Sequence, residues 1–228
     1  MAFDPERVET ITVDSYGTLV DPSAVEHALV SEIDVDPEPI SQLWRSRSLM
    51  YTMVSNHIGE YQPFYEMNRD ALQFALNSHG VDLDEETQER ILSTYHELDV
   101  FEDVRDGIER LQAGGYEVYV VSNGNPEMLA SMVDHADIGD LVADTISAHE
   151  IETFKPDREI YRHAAGRTGT PIKKIVHVAG PVFDVQGAKS AGMQGAWLNR
   201  SGGPYEGFGP QPDLEIETFH DLARALNL

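Results

Sequence analysis

The sequence predicts an α/β protein with a parallel-sheet core and an all-helical insertion after the first strand. Three observations carry this. Candidate strands at residues 9–13, 117–122, 144–147, 175–179, 195–199 and, more weakly, 214–216 alternate with segments of helical period, a pattern that specifies a parallel sheet with right-handed crossovers. Residues 22–98 break that alternation and show helical pattern only. Polar side chains stand at or just beyond successive strand ends, where open α/β sheets place their sites.

In chain order, Thr10–Val13 alternate polar and apolar residues and are largely β-branched, which fits a buried strand. Asp14 closes that strand and Gly17 follows it. Helices are expected at 23–33, 39–57, 63–79 and 84–98; the third carries Phe64, Met67, Ala71, Leu72, Ala75 and Leu76 as one apolar stripe. The strand at 117–122 runs into Ser122-Asn123-Gly124, then a helix at 126–135 with Asn125 as N-cap and Pro126 at its first position. Lys155 precedes a helix at 157–169, and the strand at 175–179 leads to a helix expected at 184–191. A Gly/Pro-rich loop begins at Ser201, and a helix at 218–226 follows the last strand. These boundaries predict a core domain of residues 1–21 plus 99–228 and a helical cap of residues 22–98, lying over the carboxyl ends of the strands.

Composition narrows the function classes. The 228 residues include no cysteine, which excludes disulfides and thiolate metal sites. No apolar run approaches the roughly 20 residues that span a bilayer, and MAFDPERVE lacks a signal-peptide pattern, so a soluble cytoplasmic protein is expected. Forty acidic residues against sixteen basic ones give a net charge of −24. Such a chain binds neither nucleic acid nor an anionic membrane unaided. The acids are spread through helical segments such as DLDEETQER, and only four residues are lysine. Acidic excess with scarce lysine is the pattern of proteins from salt-loving organisms; at molar salt the Debye length of about 3 Å makes it tolerable.

The strand ends suggest chemistry. A carboxylate beside an ammonium stays ionised, as a nucleophile must, and Asp14 with Lys155 supplies that pair. Ser122 and Asn123, where a strand feeds a helix N-terminus, suit an anion. Each has a plainer reading as turn, surface or cap residue; their joint placement favours a site. The nine histidines show no ligand spacing and read as structural or surface residues.

DSYGTL from Asp14, Ser122-Asn123-Gly124, Lys155-Pro156-Asp157 and Asp184, in that order, resemble the haloacid dehalogenase superfamily, whose Rossmann-like core carries a cap. Tyr16 and the segment LWRSRSLMYT from Leu43 resemble its L-2-haloacid dehalogenase branch, over nearly the whole chain. The resemblance implies hydrolysis of small anionic 2-haloacids without metal or cofactor. Asp14 would displace halide from C2 with inversion, and water would then cleave the aspartyl ester. It implies Arg45 and Asn123 at the halide, and Ser122 with the Ser15 and Tyr16 N–H groups at the substrate carboxylate. Tyr16, Leu49, Phe64 and Phe183 would form an apolar wall. Lys155 would orient Asp14, Tyr161 would support Lys155, and Asp184 would polarise water. A homodimer through the cap is also implied.

Two alternatives stand beside it. Magnesium phosphatases of the superfamily carry a second aspartate where this chain has Tyr16, and paired acids where residues 179–184 offer only Asp184. A binding protein with a degenerate site is suggested by Ala179 and Pro181, which stand where the dehalogenase pattern has serine and asparagine.

Overall fold

The computed structural model describes residues 2–228. Six parallel strands form one sheet in the order β3-β2-β1-β4-β5-β6. They are β1 (Thr10–Val13), β2 (Glu117–Ser122), β3 (Asp144–Ser147), β4 (Ile175–Ala179), β5 (Gln194–Leu198) and β6 (Leu214–Ile216). β1, β4 and β5 are buried along their whole length, as expected of parallel strands covered on both faces. Chain direction across the sheet reverses between β1 and β4, which opens a crevice beyond their carboxyl ends.

Four helices follow β1 directly: α1 (Ser23–Val30), α2 (Pro37–Ile58), α3 (Phe64–Ser78) and α4 (Glu85–Ser93). The apolar stripe of α3 is buried, and α2 packs on it through Trp44, whose indole N–H donates to the Asn68 carbonyl at 2.9 Å. The two connectors that join this helical layer to the sheet run side by side. Asp21 N–H donates to the Asp99 carbonyl at 2.9 Å and Phe101 N–H to the Leu19 carbonyl at 3.0 Å, and Val20 and Val100 form an antiparallel bridge.

The remaining helices are α5 (Val104–Ala113), α6 (Pro126–His135), α7 (Arg158–Thr168), α8 (Val182–Ala191) and α9 (Phe219–Ala225). α5 lies outside every helix expected from the sequence. Gly107 at its centre lowers helix propensity and interrupts the stripe of Val104, Ile108 and Leu111. α8 starts at Val182 rather than 184, because Pro181 is tolerated at the start of a helix; Asp184 lies inside the first turn instead of capping it. β5 is shifted one residue toward the N-terminus of its expected span.

Asn125 is the N-cap residue of α6, but its side chain makes no capping bond there. Its Oδ1 accepts the Tyr65 N–H at 3.0 Å, and so serves the orphan donors at the start of α3. A second tie runs from Asn56 of α2, which donates to the Phe154 carbonyl at 2.7 Å and accepts the Phe154 N–H at 3.0 Å. These two asparagines fasten the helical layer to the strand ends beside Lys155.

Asn56→Ala leaves both Phe154 backbone groups unpaired in a half-buried contact and should destabilise the fold by about 1–3 kcal/mol in denaturant titration. A variant within about 0.5 kcal/mol of wild type would show that the tie adds nothing.

Candidate active site

The turn after β1 sets the first carboxylate. The Ser15 carbonyl accepts N–H groups from Thr18, Leu19 and Val20, which folds the chain back on itself. Gly17 sits at the bend with φ +80°, where a side chain would be strained. The fold-back turns the Thr18 hydroxyl onto Asp14, donating to Oδ2 at 2.8 Å. The end of β4 closes against this turn: a Cβ on Gly180 would lie 2.5 Å from the Gly17 carbonyl oxygen, so a side chain there would force the two apart. Gly180 N–H donates to Thr18 Oγ1 at 2.9 Å.

Lys155 enters from the loop before α7. Its backbone N–H donates to Asn123 Oδ1 at 2.8 Å. Its Nζ donates to Asp14 Oδ1 at 2.8 Å and to Asp184 Oδ2 at 2.6 Å. All three side chains are nearly or fully buried. Asp184 Oδ1 is bound by the Tyr161 hydroxyl at 2.6 Å and by His177 Nε2 at 3.0 Å. Burial disfavours the charge on Asp184, yet contacts with His177 and Lys155 hold it below the usual carboxylate range. Burial pushes Asp14 up, and the charge of Asp184 adds to that, against the pull of Lys155 and Thr18. The Lys155 ammonium, disfavoured by burial, is nonetheless held above its ordinary value by its two carboxylates.

Asp14 and Lys155 open onto a cavity of about 280 Å³ between the strand ends and the helical layer. Ser122, Asn123 and Arg45 supply its polar wall, and Tyr16, Leu49, Phe64 and Phe183 its apolar wall. Arg45 is 44% exposed and pairs with Glu26 only at 3.8 Å, a weak surface contact. Ser15 lies behind the wall, its hydroxyl 2.6 Å from that of Ser122. Neither the Ser15 nor the Tyr16 N–H has an acceptor among the described residues. Asp184 and Tyr161 do not line the cavity; they sit beneath it and touch it only through Lys155.

Several contributors are not legible as site residues in the sequence. Thr18 is hidden in the turn, although its place four residues after Asp14 is a usable signal. His177 reads as a core residue of β4, yet it bonds Asp184. Ser48, Asn68 and Tyr95 line the cavity on the side of the helical layer, with Tyr95 edge-on to Tyr16 at 5.6 Å between ring centroids. The Tyr16 hydroxyl is buried and has no hydrogen-bond partner among the described residues.

The donor set does not suit a divalent cation. An ammonium already lies between the two carboxylates, Asp184 is engaged at both oxygens, and Tyr16 stands two residues after Asp14. Magnesium needs several free oxygen ligands in octahedral array. Among the described residues, no group of three or more His, Asp or Glu side chains is arranged to hold a metal. No helix among them is long and apolar enough to cross a membrane.

Comparison with known proteins agrees with this architecture. An (S)-2-haloacid dehalogenase of Pseudomonas sp. strain YL is 31% identical over 92% of this chain and 91% of its own. A solved L-2-haloacid dehalogenase superposes with a TM-score of 0.93 at 27% identity, covering 97% of this chain and 99% of its own. The L-2-haloacid dehalogenase of Xanthobacter autotrophicus with chloropropionic acid covalently bound superposes with a TM-score of 0.89 at 26% identity, covering 96% and 98%. The model of the haloacid dehalogenase-like hydrolases matches residues 8–192, and with four-fifths of its length inside that match, the chain belongs to this family.

Proposed function

We propose that this protein hydrolyses 2-haloacids to 2-hydroxy acids through an ester on Asp14, without a metal. The observation that carries the reading is the Asp14 carboxylate, held by Lys155 and Thr18 at 2.8 Å each, at the floor of a largely apolar cavity. An Asp14 oxygen bonds to C2 of the substrate as the carbon–halogen bond breaks, and the halide leaves with that electron pair. Water then adds to the Asp14 carbonyl carbon, the ester C–O bond breaks, and the 2-hydroxy acid departs with its own oxygen supplied by the carboxylate.

The polar wall serves the anions. Arg45 carries no tight partner, so its charge is available to the halide. Accepting the Lys155 N–H with its oxygen leaves the amide NH2 of Asn123 for the same purpose. Ser122 and the free N–H groups of Ser15 and Tyr16 suit the substrate carboxylate. Tyr16, Leu49, Phe64 and Phe183 exclude water around the alkyl group, which strengthens each ionic contact. Asp184, out of the cavity, acts through Lys155 and not by touching water there. Residues 22–98 act as the cap, hinged at the paired connectors. Exposed Met53, Val54 and Ile58 along α2 support a homodimer through it. The acidic excess fits a cytoplasm of high salt.

Asp14→Asn should abolish halide release from 2-chloropropionate, by on the order of 10⁴-fold or more, while wild-type turnover is unchanged by a chelator. Mass analysis should find an added carboxyalkyl group on Asp14, in ester linkage, during turnover; halide release without such an adduct would sink the mechanism. The variant should also melt no lower than wild type at neutral pH. A carboxylate whose folded pKa is raised costs stability above that pKa and nothing below its unfolded value, and the substitution brings the Asp–Lys–Asp group from −1 to neutral.

The same shift sets the pH profile. Asp14 must be ionised to react, so the acid limb of kcat/KM should lie above the ordinary aspartate value of 3.8. A limb at or below that value contradicts the environment described. No loss from Lys155 is expected below 10.5, since its value is raised from there.

Salt gives a separate test. A protein of net charge −24 repels an anionic substrate until ions screen it, over about 10 Å at 0.1 M and about 3 Å at 1 M. kcat/KM should therefore rise across that range while circular dichroism shows the fold intact. A flat profile would remove the field argument and, with it, the main physical support for a high-salt cytoplasm.

A further inference from the structure

His177 is a fully buried, titratable side chain that the mechanism so far leaves unused. It stands in the middle of β4, flanked by Val176 and Val178, where an imidazole is costly unless both nitrogens are bonded. Both are. Nδ1 lies 2.9 Å from the hydroxyl of Thr12, its cross-strand neighbour on β1, and Nε2 lies 3.0 Å from Asp184 Oδ1. Strand alternation puts Ile175, His177 and Ala179 on one face, toward α7 and α8. Ala179, the nearest of the three to the cavity, has no side-chain donor. His177, one step back, is the only member of that face with one.

We infer that His177 is a positioning residue for the nucleophile, fixing Asp184 so that Lys155 is shared between Asp184 and Asp14 and not surrendered to Asp14. This rests on the dehalogenase reading above. Asp184 has one oxygen for Lys155 and one for Tyr161 and His177. With Oδ1 pinned from two sides, Oδ2 stays on the ammonium at 2.6 Å, the shorter of the two Lys155 contacts. Asp14 keeps the longer one at 2.8 Å, and its charge is the less stabilised of the two. A carboxylate that shares its counter-ion is the better nucleophile. Without His177, Oδ1 keeps the Tyr161 hydroxyl alone; Asp184 can then swing about that single contact, Lys155 can close on Asp14, and the alkylation step slows. The side chains that face the imidazole are Asp184 of α8, Tyr161 of α7 and Thr12 of β1, with Lys155 one contact further on. The Thr12–His177–Asp184–Lys155–Asp14 chain thus runs from inside the sheet to the Asp14 carboxylate.

His177→Phe keeps the edge-on packing against the Tyr161 ring, 5.5 Å between centroids, and removes only the nitrogens. His177→Gln keeps an N–H that can reach Asp184. With 2-chloropropionate as substrate, kcat of the Phe variant should fall about 10- to 100-fold with KM held within about twofold. Single-turnover mass analysis should show Asp14 ester forming more slowly, not accumulating. The Gln variant should recover most of kcat. A folded Phe variant with wild-type kcat, or equal losses in the Phe and Gln variants, overturns the inference. If the Phe variant does not fold, Thr12→Val decides: a lower kcat at unchanged KM sustains the role, and wild-type turnover refutes it. Wild-type protein run alongside separates the two levels. No halide from wild type removes the dehalogenase reading and this inference with it, whereas a working wild type beside an unimpaired variant removes this inference alone.

Discussion

The site depends on one buried ammonium shared by two carboxylates. Without Lys155, Asp14 and Asp184 would repel each other in a medium of low dielectric, and one would take up a proton. Burying three charges is itself unfavourable by several kcal/mol per ion. The geometry offsets this with contacts of 2.6 and 2.8 Å to the ammonium and with hydroxyl and imidazole partners on the remaining oxygens. The sharing is unequal. Asp184 has three side-chain partners, including the shortest contact to Lys155, and Asp14 has two. The tightly held carboxylate keeps the lysine charged and in place, and the loosely held one is the one that the proposed reaction uses. Stability alone would not favour such a cluster, since apolar residues of similar volume often do as well; what it provides is a charged oxygen without a full solvation shell.

Three residues far apart in sequence have to meet for this, and the topology brings them together. Asp14 leaves β1, Asp184 lies in the first turn of the helix after β4, and these strands are neighbours where the sheet order reverses. Asp184 also lies near the positive end of α8, which favours its charge. Lys155 reaches across from the segment after β3, and its backbone is fixed by Asn123 at the end of β2 and, through Phe154, by Asn56 of the helical layer. Each strand end therefore contributes a constraint, and the layer over the site constrains the lysine as well as the cavity wall.

What the sequence reveals of this follows from how local each signal is. β2 and β4 are legible because apolar β-branched runs end at turn residues, and Asp14 and Lys155 are legible because each stands in a short motif at a strand or helix boundary. α5 is not, because Gly107 breaks its period and only its packing against α9 explains the tolerance. Asn125 can be placed as the cap residue of its own helix, but its side chain bonds Tyr65 sixty positions earlier. His177 is the clearest case. Within IVHVA its position says only that it is buried; its chemistry comes from Thr12 and Asp184, which pairing of strands places beside it. Asp184 likewise reads as a group facing the reaction, whereas the longer α8 sets it one layer below.

In the proposed reaction, the arrangement that favours alkylation also serves hydrolysis, which the absence of polar side chains at Ala179 and Pro181 would otherwise leave poorly supported. Once one Asp14 oxygen is bonded to carbon, the other becomes an ester carbonyl oxygen. Whichever oxygen reacts, the remaining one already faces a donor at 2.8 Å, the Lys155 ammonium on Oδ1 or the Thr18 hydroxyl on Oδ2. When water adds to the carbonyl carbon, negative charge develops on that oxygen. A fixed donor in a dry site stabilises such charge far more than it does in water. Alkylation also removes a negative charge from beside Lys155, so the ammonium interacts more strongly with what develops next. Of the two outcomes, Lys155 on the developing oxyanion gives the larger stabilisation, because a charged donor makes the stronger hydrogen bond. Attack through Oδ2, the oxygen held by Thr18, therefore leaves the better-equipped ester for water to open.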